Sequence, residues 1–402
     1  MDSGWKIGSE PTEPVGLYIH IPFCQRKCPY CDFNSYAGLE ESFHAYTAAL
    51  REEITRAGAM WGHPTVATIY IGGGTPTVLP VEFLAEILMA CRTTFSVAPN
   101  AEITCEANPG TVDQRRFKRL RELGISRLSL GIQSLNDAEL RFLGRIHDAA
   151  GAMAAFEAAR AAGFDNINVD LIYGLPGQDP NSWLHTLDQV IALKPEHISL
   201  YALTIEEGTP LARWIAEGRF PYPDDDLAAD LYELASERLG AAGYRQYEIS
   251  NWAWHGDVPL PPVANPPLAC RHNLIYWRYQ PYLGFGAGAH SMIPGRRWWN
   301  PRRLDVYLER VASGQLLEEG HEEIDERLGM GEMMMLGLRL IREGVSEERF
   351  WRRWGRALDE VFGEELRELC EMGLIERVDG HVRLTYPARL VGNQVFARFL
   401  PN

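Results

Sequence analysis

Short apolar runs alternate along the first half of the chain with longer segments in which apolar residues recur every three or four positions. The short runs predict six β-strands, at residues 17–21, 67–72, 101–107, 127–132, 166–172 and 197–203. The longer segments predict helices, at residues 42–58, 81–95, 112–124, 151–163 and 181–193. Strands that alternate with helices form parallel βα units, so this α/β pattern predicts a partial (β/α)6 barrel.

The pattern changes in the second half of the chain. Residues 254–269 (WHGDVPLPPVANPPLA) are rich in proline and predict a loop, and an aromatic-dense stretch follows at residues 270–291. Near the C-terminus a helical pattern ends in LIERVDGHVRLT, where Asp379 and Gly380 predict a tight hairpin turn, as in a winged helix. The predicted divisions are a polar lead-in at 1–16, a barrel at 17–253, a proline-rich and aromatic segment at 254–320, and a smaller, mostly helical, winged-helix-like domain at 321–402.

Composition narrows the class of protein. The 402 residues carry a formal charge of −15, so no overall charge attracts nucleic acid or anionic lipid, and we expect no nucleic-acid partner. No apolar run approaches the about 18 residues that a membrane span needs. The first residues, MDSGWKIGSEPTEPVG, lack the apolar core of a secretion signal, which predicts a cytoplasmic protein.

Three of the seven cysteines are crowded directly after the first predicted strand, in CQRKCPYCDF. Their spacing, C-x3-C-x2-C, is typical of metal binding or redox chemistry in a reducing compartment. Zinc would need a fourth ligand from Asp32 or His20, a disulfide would leave one thiol unpaired, and an iron–sulfur cluster would keep one iron open. The other cysteines are expected to be small buried residues: Cys91, Cys105, Cys270 and Cys370.

Polar and glycine residues follow the later predicted strands. The triplet Gly72–Gly74 in YIGGGTPT lets a backbone approach a ligand closely, although tight strand-to-helix turns use glycine as well. Further on, four side chains can bind hydroxyl or carboxylate groups of a ligand or serve as caps and surface residues: Glu106, Gln133, Arg145 and Asp170. Asp170 interrupts a predicted strand whose other residues look buried. Of these four residues it is therefore the one that a surface role fits least.

The stretch LYIHIPFCQRKCPYCDF resembles the signature of the radical S-adenosylmethionine (SAM) superfamily. In that superfamily three cysteines hold a [4Fe-4S] cluster, and SAM chelates the open iron. The resemblance therefore implies that three thiolates, rather than four, are a requirement of the chemistry.

Further motifs resemble one family within that superfamily, the oxygen-independent coproporphyrinogen III oxidases and their haem-chaperone relatives. The motifs are EANPG, RLSLGIQS, NVDLIYGLPGQ, YEISNWA, CRHNLIYW and GFGAGAHS. The resemblance implies that the cluster ligands are Cys24, Cys28 and Cys31. It implies contacts to a first SAM from Tyr18, Gly73 and Glu106. Positions that line a second SAM site in the oxidase are matched by Tyr30, Gly74, Thr75, Gln133, Arg145 and Asp170.

Three details favour the haem chaperones over the oxidase. The oxidase has a fourth cysteine where this chain has Phe33, and its long N-terminal extension contrasts with the 23 residues that precede Cys24 here. The sequence RHNLIYW fits the H-N-x-x-Y-W motif of the haem-binding relatives, which makes His272 and Tyr276 candidate haem residues, with His290 as a competing ligand.

The resemblance thus predicts a protein that carries a [4Fe-4S] cluster and SAM, binds haem and delivers it to apo-haemoproteins, as a monomer or dimer. Contact with membrane haemoproteins would be peripheral. Three alternatives stay open: a coproporphyrinogen III dehydrogenase, a radical SAM methyltransferase or cyclopropanase, and a family member that has lost its cluster.

Overall fold

The computed structural model describes residues 13–256 and 258–401. Its strands are β1 (Val15–Ile21), β2 (Phe23–Cys24), β3 (Tyr36–Ala37), β4 (Thr65–Gly73), β5 (Ser96–Ala107), β6 (Arg127–Gln133), β7 (Ile167–Tyr173), β8 (His197–Ala202), β9 (Tyr244–Glu248), β10 (Asn251–Trp254), β11 (Tyr282–Phe285), β12 (His290–Ile293), β13 (Arg296–Trp299), β14 (Gly320–Glu323), β15 (Val345–Ser346), β16 (Ile375–Val378) and β17 (His381–Leu384).

The helices are α1 (Phe43–Trp61), α2 (Val81–Thr94), α3 (Gln114–Glu122), α4 (Asp137–Phe142), α5 (Ala149–Ala161), α6 (Pro180–Leu193), α7 (Pro210–Ala216), α8 (Asp225–Ala241), α9 (Arg271–Trp277), α10 (Leu304–Ala312), α11 (Glu326–Gly337), α12 (Glu347–Trp354), α13 (Leu358–Glu371) and α14 (Gly392–Ala397). The six predicted strands correspond to β1 and β4–β8, and the five predicted helices to α1, α2, α3, α5 and α6.

Six parallel strands form the centre of a twelve-stranded sheet, in the order β1-β4-β5-β6-β7-β8. Because every connection runs through a helix, each strand ends at the same edge of the sheet. Capping residues fix where three of these helices begin: the side chains of Asp113, Asp148 and Asp179 accept the N–H of a residue in the first turn of α3, α5 and α6 at 2.7, 2.7 and 3.1 Å. The predicted α/β barrel is confirmed.

The sheet continues on both sides of the six central strands. Strand β11 pairs in parallel with β1, and β12, β13 and β14 follow it antiparallel. On the other side, β10 and β9 pair antiparallel with β8. Strands β11 and β12, which arise in the aromatic stretch, thus belong to the same sheet as the barrel strands, and the predicted boundaries at residues 253 and 320 stay predictions. The predicted lead-in at 1–16 lies largely outside the described residues.

A smaller unit follows β14. It combines α11–α14 with the three-stranded sheet β15-β17-β16, and its core includes Met330, Met334, Phe350 and Phe362. Asp379 and Gly380 have φ angles of 48° and 73°, so the predicted hairpin turn between β16 and β17 is confirmed. The hairpin next to α12 and α13 resembles the wing of a winged helix.

The described part of the proline-rich segment is fastened to this smaller unit by two arginines. Arg342 donates to the carbonyls of Ala264 (3.0 Å) and Pro261 (3.1 Å), and Arg383 donates to that of Pro262 (2.8 Å). Proline cannot donate through its backbone nitrogen, so its carbonyls are the polar groups that a partner can hold. These hydrogen bonds therefore hold the proline-rich segment against the smaller unit in a defined conformation.

Within the described ranges, none of the helices has both the length and the apolar character required to cross a membrane.

Candidate radical SAM site

The cysteine loop leaves the carboxyl end of β1. Cys24 lies in β2, and Cys28 and Cys31 follow on a turn closed by a hydrogen bond from the Cys31 N–H to the Cys28 carbonyl (3.2 Å). All three are partly buried free thiols. Outside the loop, Cys91, Cys105 and Cys270 are buried as predicted, whereas Cys370 is exposed because it lies on the outer face of α13.

The loop thiols lie close enough to influence one another's pKa and have polar neighbours. Burial raises the pKa of the Cys24 and Cys31 thiols, and the neighbouring Cys28 thiol raises both further. The Arg145 guanidinium donates to the Cys28 sulfur (3.3 Å), and the Thr75 hydroxyl donates to the Cys24 sulfur (3.6 Å). Because their pKa is raised, these thiols become thiolate ligands when a bound cation compensates the negative charge.

The donors fit a cluster better than a single zinc ion. Among the residues described, no three His, Cys, Asp or Glu side chains converge on one metal position. His20 is occupied at both ring nitrogens, by the Tyr18 hydroxyl (3.0 Å) and the Asn34 carbonyl (2.9 Å), and Asp32 is exposed. A [4Fe-4S] cluster distributes three thiolates over three irons, so the sulfurs need not meet at one point.

The glycine turn after β4 runs beside the start of the cysteine loop. Gly74 and Thr75 donate their N–H groups to the carbonyls of Ile21 (2.8 Å) and Phe23 (2.7 Å). A Cβ on Gly73, whose φ is 113°, would lie 2.5 Å from the His20 ring, and one on Gly74 would lie 2.6 Å from the Phe23 carbonyl oxygen. Only glycine allows this close approach.

Glu106, on β5, binds the glycine turn. Its carboxylate accepts from the Gly73 N–H (3.1 Å) and from the Tyr70 hydroxyl (2.8 Å). Burial raises the pKa of Glu106 to about 7; the Tyr70 hydrogen bond opposes this rise, and the charge of Asp170 adds to it. Tyr18 stacks on Tyr70 with ring centroids 6.3 Å apart. A cationic ligand group at this place would favour the ionised carboxylate.

A second group of predicted residues lies over the ends of β6 and β7. Gln133, with a φ of 70°, and Arg145 both lie over Gly131: a Cβ there would be 3.0 Å from the Gln133 amide nitrogen and 3.3 Å from the Arg145 guanidinium. Arg145 also donates to the Gly131 carbonyl (2.7 Å), while its Nε is buried and has no partner among the described residues. Tyr30 packs beside them against an apolar cluster that includes Leu143. These groups can orient a polar ligand above an aromatic ring.

Asp170 lies deeper, in the middle of β7. Its carboxylate accepts from the Ser129 hydroxyl (2.9 Å) and the Asn168 amide (2.8 Å), and burial raises its pKa despite these bonds. The structure thus brings the predicted SAM residues to neighbouring strands, with Asp170 below the rest. Their contacts with SAM stay predictions.

The candidate haem residues lie on α9. His272 is 1% exposed, and its ring nitrogens are hydrogen-bonded to the Thr68 hydroxyl (2.7 Å) and the Tyr276 hydroxyl (2.9 Å). Burial, with the charge of Arg127, lowers the pKa of His272 to about 3. Ligation by His272 stays a prediction that requires a hydrogen bond to break and the ring to leave its stack on Tyr70.

The sequence patterns do not identify Arg127 as a buried cation. Arg127, the first residue of β6, is 2% exposed, and its Nε has no hydrogen-bond partner in the described residues. Its charge acts on both His272 and His197. The sequence signal for this buried cation is an arginine at the start of the apolar run RLSLGI. The signal is weak because strand ends commonly carry exposed arginines.

Comparison with known proteins identifies the family. Residues 18–190 match the family model of the Radical SAM superfamily, and residues 326–391 match the HemN C-terminal domain. The protein named Heme chaperone HemW from Bacillus subtilis is 38% identical over 384 residues, which cover 95% of this chain and 98% of that protein. This chain belongs to the HemW family of radical SAM proteins.

Other comparisons extend the family relationship and establish the fold. The HemW from Mycobacterium tuberculosis is 37% identical over 393 residues, which cover 97% of this chain and 96% of that protein. Coproporphyrinogen III oxidase (HemN) from Escherichia coli, a radical SAM enzyme, superposes with a TM-score of 0.81 over 98% of this chain and 91% of that chain. At 24% identity, this likeness establishes the fold alone. Radical SAM proteins carry a [4Fe-4S] cluster and SAM, which the donor set described above fits.

Proposed function

We propose that this protein binds haem and delivers it to apo-haemoproteins. The observation that carries the proposal is similarity along nearly the whole chain to proteins named Heme chaperone HemW, at 37–38% identity. The likeness to the oxidase is restricted to the fold. Phe33, which stands where the oxidase has a fourth cysteine, also supports a haem carrier over a porphyrinogen decarboxylase.

We assign the barrel residues the following roles. Cys24, Cys28 and Cys31 hold the cluster, which supplies an open iron and one-electron chemistry when bound. The glycine turn, Glu106 and Tyr18 position SAM beside it, and Arg145 balances the negative charge of the thiolates. The second set of ligand contacts comes from Tyr30, Gly74, Thr75, Gln133 and Asp170. In a haem carrier, these cofactors serve conformation or dimerisation rather than turnover.

The partners follow from this role. Haem is the cargo, and apo-haemoproteins are the recipients. Recipients in a membrane would be reached by peripheral contact. Size-exclusion chromatography with and without haem distinguishes a monomer from a dimer.

An anaerobic haem titration of the cluster-reconstituted protein, followed by Soret absorbance, tests the proposal. We expect saturable, equimolar binding, and transfer of the haem to apomyoglobin as a model recipient. In a parallel assay with SAM, a reductant and coproporphyrinogen III, we expect no vinyl product. Absence of saturable haem binding, or conversion of the porphyrinogen, would contradict the proposal.

A further inference from the structure

His290 begins strand β12 at the edge of the sheet where the cysteine loop lies. It is exposed, and its ring stacks on that of Trp299 from β13, with centroids 5.5 Å apart and an interplanar angle of 27°. Neither ring nitrogen has a hydrogen-bond partner in residues 13–256 or 258–401. Partial burial, together with the charges of Arg297 and Arg302, lowers the pKa of His290, so the neutral imidazole keeps its lone pair.

Three other histidines, by contrast, are hydrogen-bonded through both ring nitrogens. His20 is bonded through both ring nitrogens, and His147 is bonded to the Asn108 side chain and the Ile132 carbonyl, both at 3.1 Å. His272 is bonded at both nitrogens and buried. A metal ligand must present a free nitrogen to its metal, and His290 does so without any rearrangement.

The cysteine loop brings an aromatic side chain and a cation to the region of His290. The Asn34 amide donates to the carbonyls of Ala287 and Arg302, both at 2.9 Å, and so joins the loop to the turn before His290. Lys27 donates to the Phe33 carbonyl (2.9 Å), so its ammonium group lies beside Phe33 on the cysteine loop. These contacts assemble one surface, the rim patch, defined as Lys27, Phe33, His290, Trp299 and Arg302.

The rim patch combines an exposed aromatic residue with cations. Phe33 is 62% exposed. Within the described chain, neither Lys27 nor Arg302 forms an ion pair with a carboxylate. Glu319 accepts from the main-chain N–H of Arg302 (3.4 Å) and not from its guanidinium. Cations without an ion pair beside exposed aromatic rings suit a ligand that is both anionic and apolar.

We propose that His290 is an axial ligand of the haem iron, that Phe33 and Trp299 contact the porphyrin, and that Lys27 and Arg302 bind its propionates. Haem has the matching chemistry: an iron that accepts imidazole, an apolar plane and two carboxylates. An exposed ligand also suits a carrier, because the recipient can reach the iron. This assignment rests on the proposed haem function and gives it a binding site.

The test compares His290→Ala with His185→Ala, a change of an exposed histidine on the outer helix α6, in the full-length, cluster-reconstituted protein. For His290→Ala we expect a changed Soret band and electron paramagnetic resonance spectrum and about tenfold or more weaker haem binding. Added imidazole should restore the wild-type spectrum. His185→Ala should retain both the spectrum and the affinity.

Arg302→Ala provides an independent measurement, with the adjacent Arg303→Ala as its control, since Arg303 is already paired with Asp305 at 2.5 Å. We expect Arg302→Ala to weaken haem binding about two- to fivefold, as for an exposed ion pair, and to leave the binding of haem dimethyl ester unchanged. Arg303→Ala should change neither.

The outcomes distinguish failure of the His290 assignment from failure of the proposed haem function. If the wild-type protein binds no haem, the proposed function fails, and the assignment fails with it. If the wild type binds haem and His290→Ala keeps its spectrum and affinity, only the assignment of His290 is overturned.

Discussion

The three loop cysteines differ from the other four in their surroundings. Hydrogen bonds from Arg145 and Thr75 reach the sulfurs of Cys28 and Cys24, and the three thiols act on one another. Cys91, by contrast, is wholly buried in α2 among apolar residues. A thiol that faces other thiols and a cation is arranged to ligate, whereas one surrounded by methyl groups fills space.

Replacing Cys24, Cys28 or Cys31 singly by Ala is expected to abolish the cluster, because each thiolate holds a separate iron. Iron content and visible absorbance after anaerobic reconstitution measure this. Cys91→Ala should retain the cluster. Intact clusters in all three loop variants would overturn the assignment of the ligands.

Gly73→Ala should destabilise the protein more than Gly163→Ala does. Both positions have positive φ angles, 113° and 89°, which cost about 1–3 kcal/mol for other residues. A Cβ at Gly163 meets nothing within 4 Å, whereas one at Gly73 would meet the His20 ring at 2.5 Å. Thermal unfolding and calorimetric titration with SAM should show the larger loss of stability, and loss of SAM binding, only for Gly73→Ala. Equal effects would show that the His20 contact is unimportant.

Helix α1 is held to the rest of the barrel by a buried carboxylate. Glu53 accepts from the Gly286 N–H (2.8 Å), the Tyr307 hydroxyl (2.7 Å) and the Asn300 amide (2.5 Å). It therefore joins α1 to the turn after β11 and to α10. Burial raises the pKa of Glu53 from its ordinary value of 4.5 to about 7, although the three hydrogen bonds oppose this.

The raised pKa of Glu53 predicts a pH-dependent stability. Because the folded state binds the proton more tightly, the contribution of Glu53 is fully present below its unfolded pKa of 4.5 and is lost as the pH rises through about 7. The change is at most about 3 kcal/mol. Glu53→Gln should lower stability at low pH but reduce the dependence of the melting temperature on pH between about pH 5 and about pH 8. Identical pH profiles for variant and wild type would contradict this.

One of the contacts between the smaller C-terminal unit and the barrel is made by an almost completely buried cation. The Arg389 side chain, 1% exposed, pairs with Glu233 of α8 at 3.1 Å and bonds to the Gln246 side chain. Its guanidinium also lies 3.4 Å from the Tyr386 ring centroid and 5.2 Å from that of Tyr232. This residue links the two parts of the molecule through charge, hydrogen bonds and aromatic contact.

Arg389→Ala is expected to destabilise the protein by about 2 kcal/mol, below the usual cost of breaking a buried pair because Glu233 keeps some solvent. Arg398→Ala is the matched control, since Arg398 and its partner Glu368 are both substantially exposed and such pairs contribute about 1 kcal/mol or less. Thermal unfolding, with limited proteolysis after β14, measures the loss and the release of the unit. Equal losses in the two variants would refute the linking role of Arg389.

The order of the six βα units, the hairpin at Asp379 and Gly380, and the spacing of the three cysteines could all be predicted from the sequence. Each depends on residues close together in the chain: the period of apolar positions, positive φ angles in a turn, or thiols on one loop. The resemblance to the family could likewise be recognised from short motifs.

Only the tertiary structure decided which residues meet. The tertiary structure pairs β11 with β1 and bonds Glu106 to Gly73. It also buries Glu53 in the core, although other charged residues of α1 face solvent. It also distinguished His272, closed in by hydrogen bonds, from His290, whose ring is free. The physical reason is that burial and hydrogen bonding depend on partners far away in the chain, 233 residues for Glu53 and Gly286, and local periodicity carries no information about them.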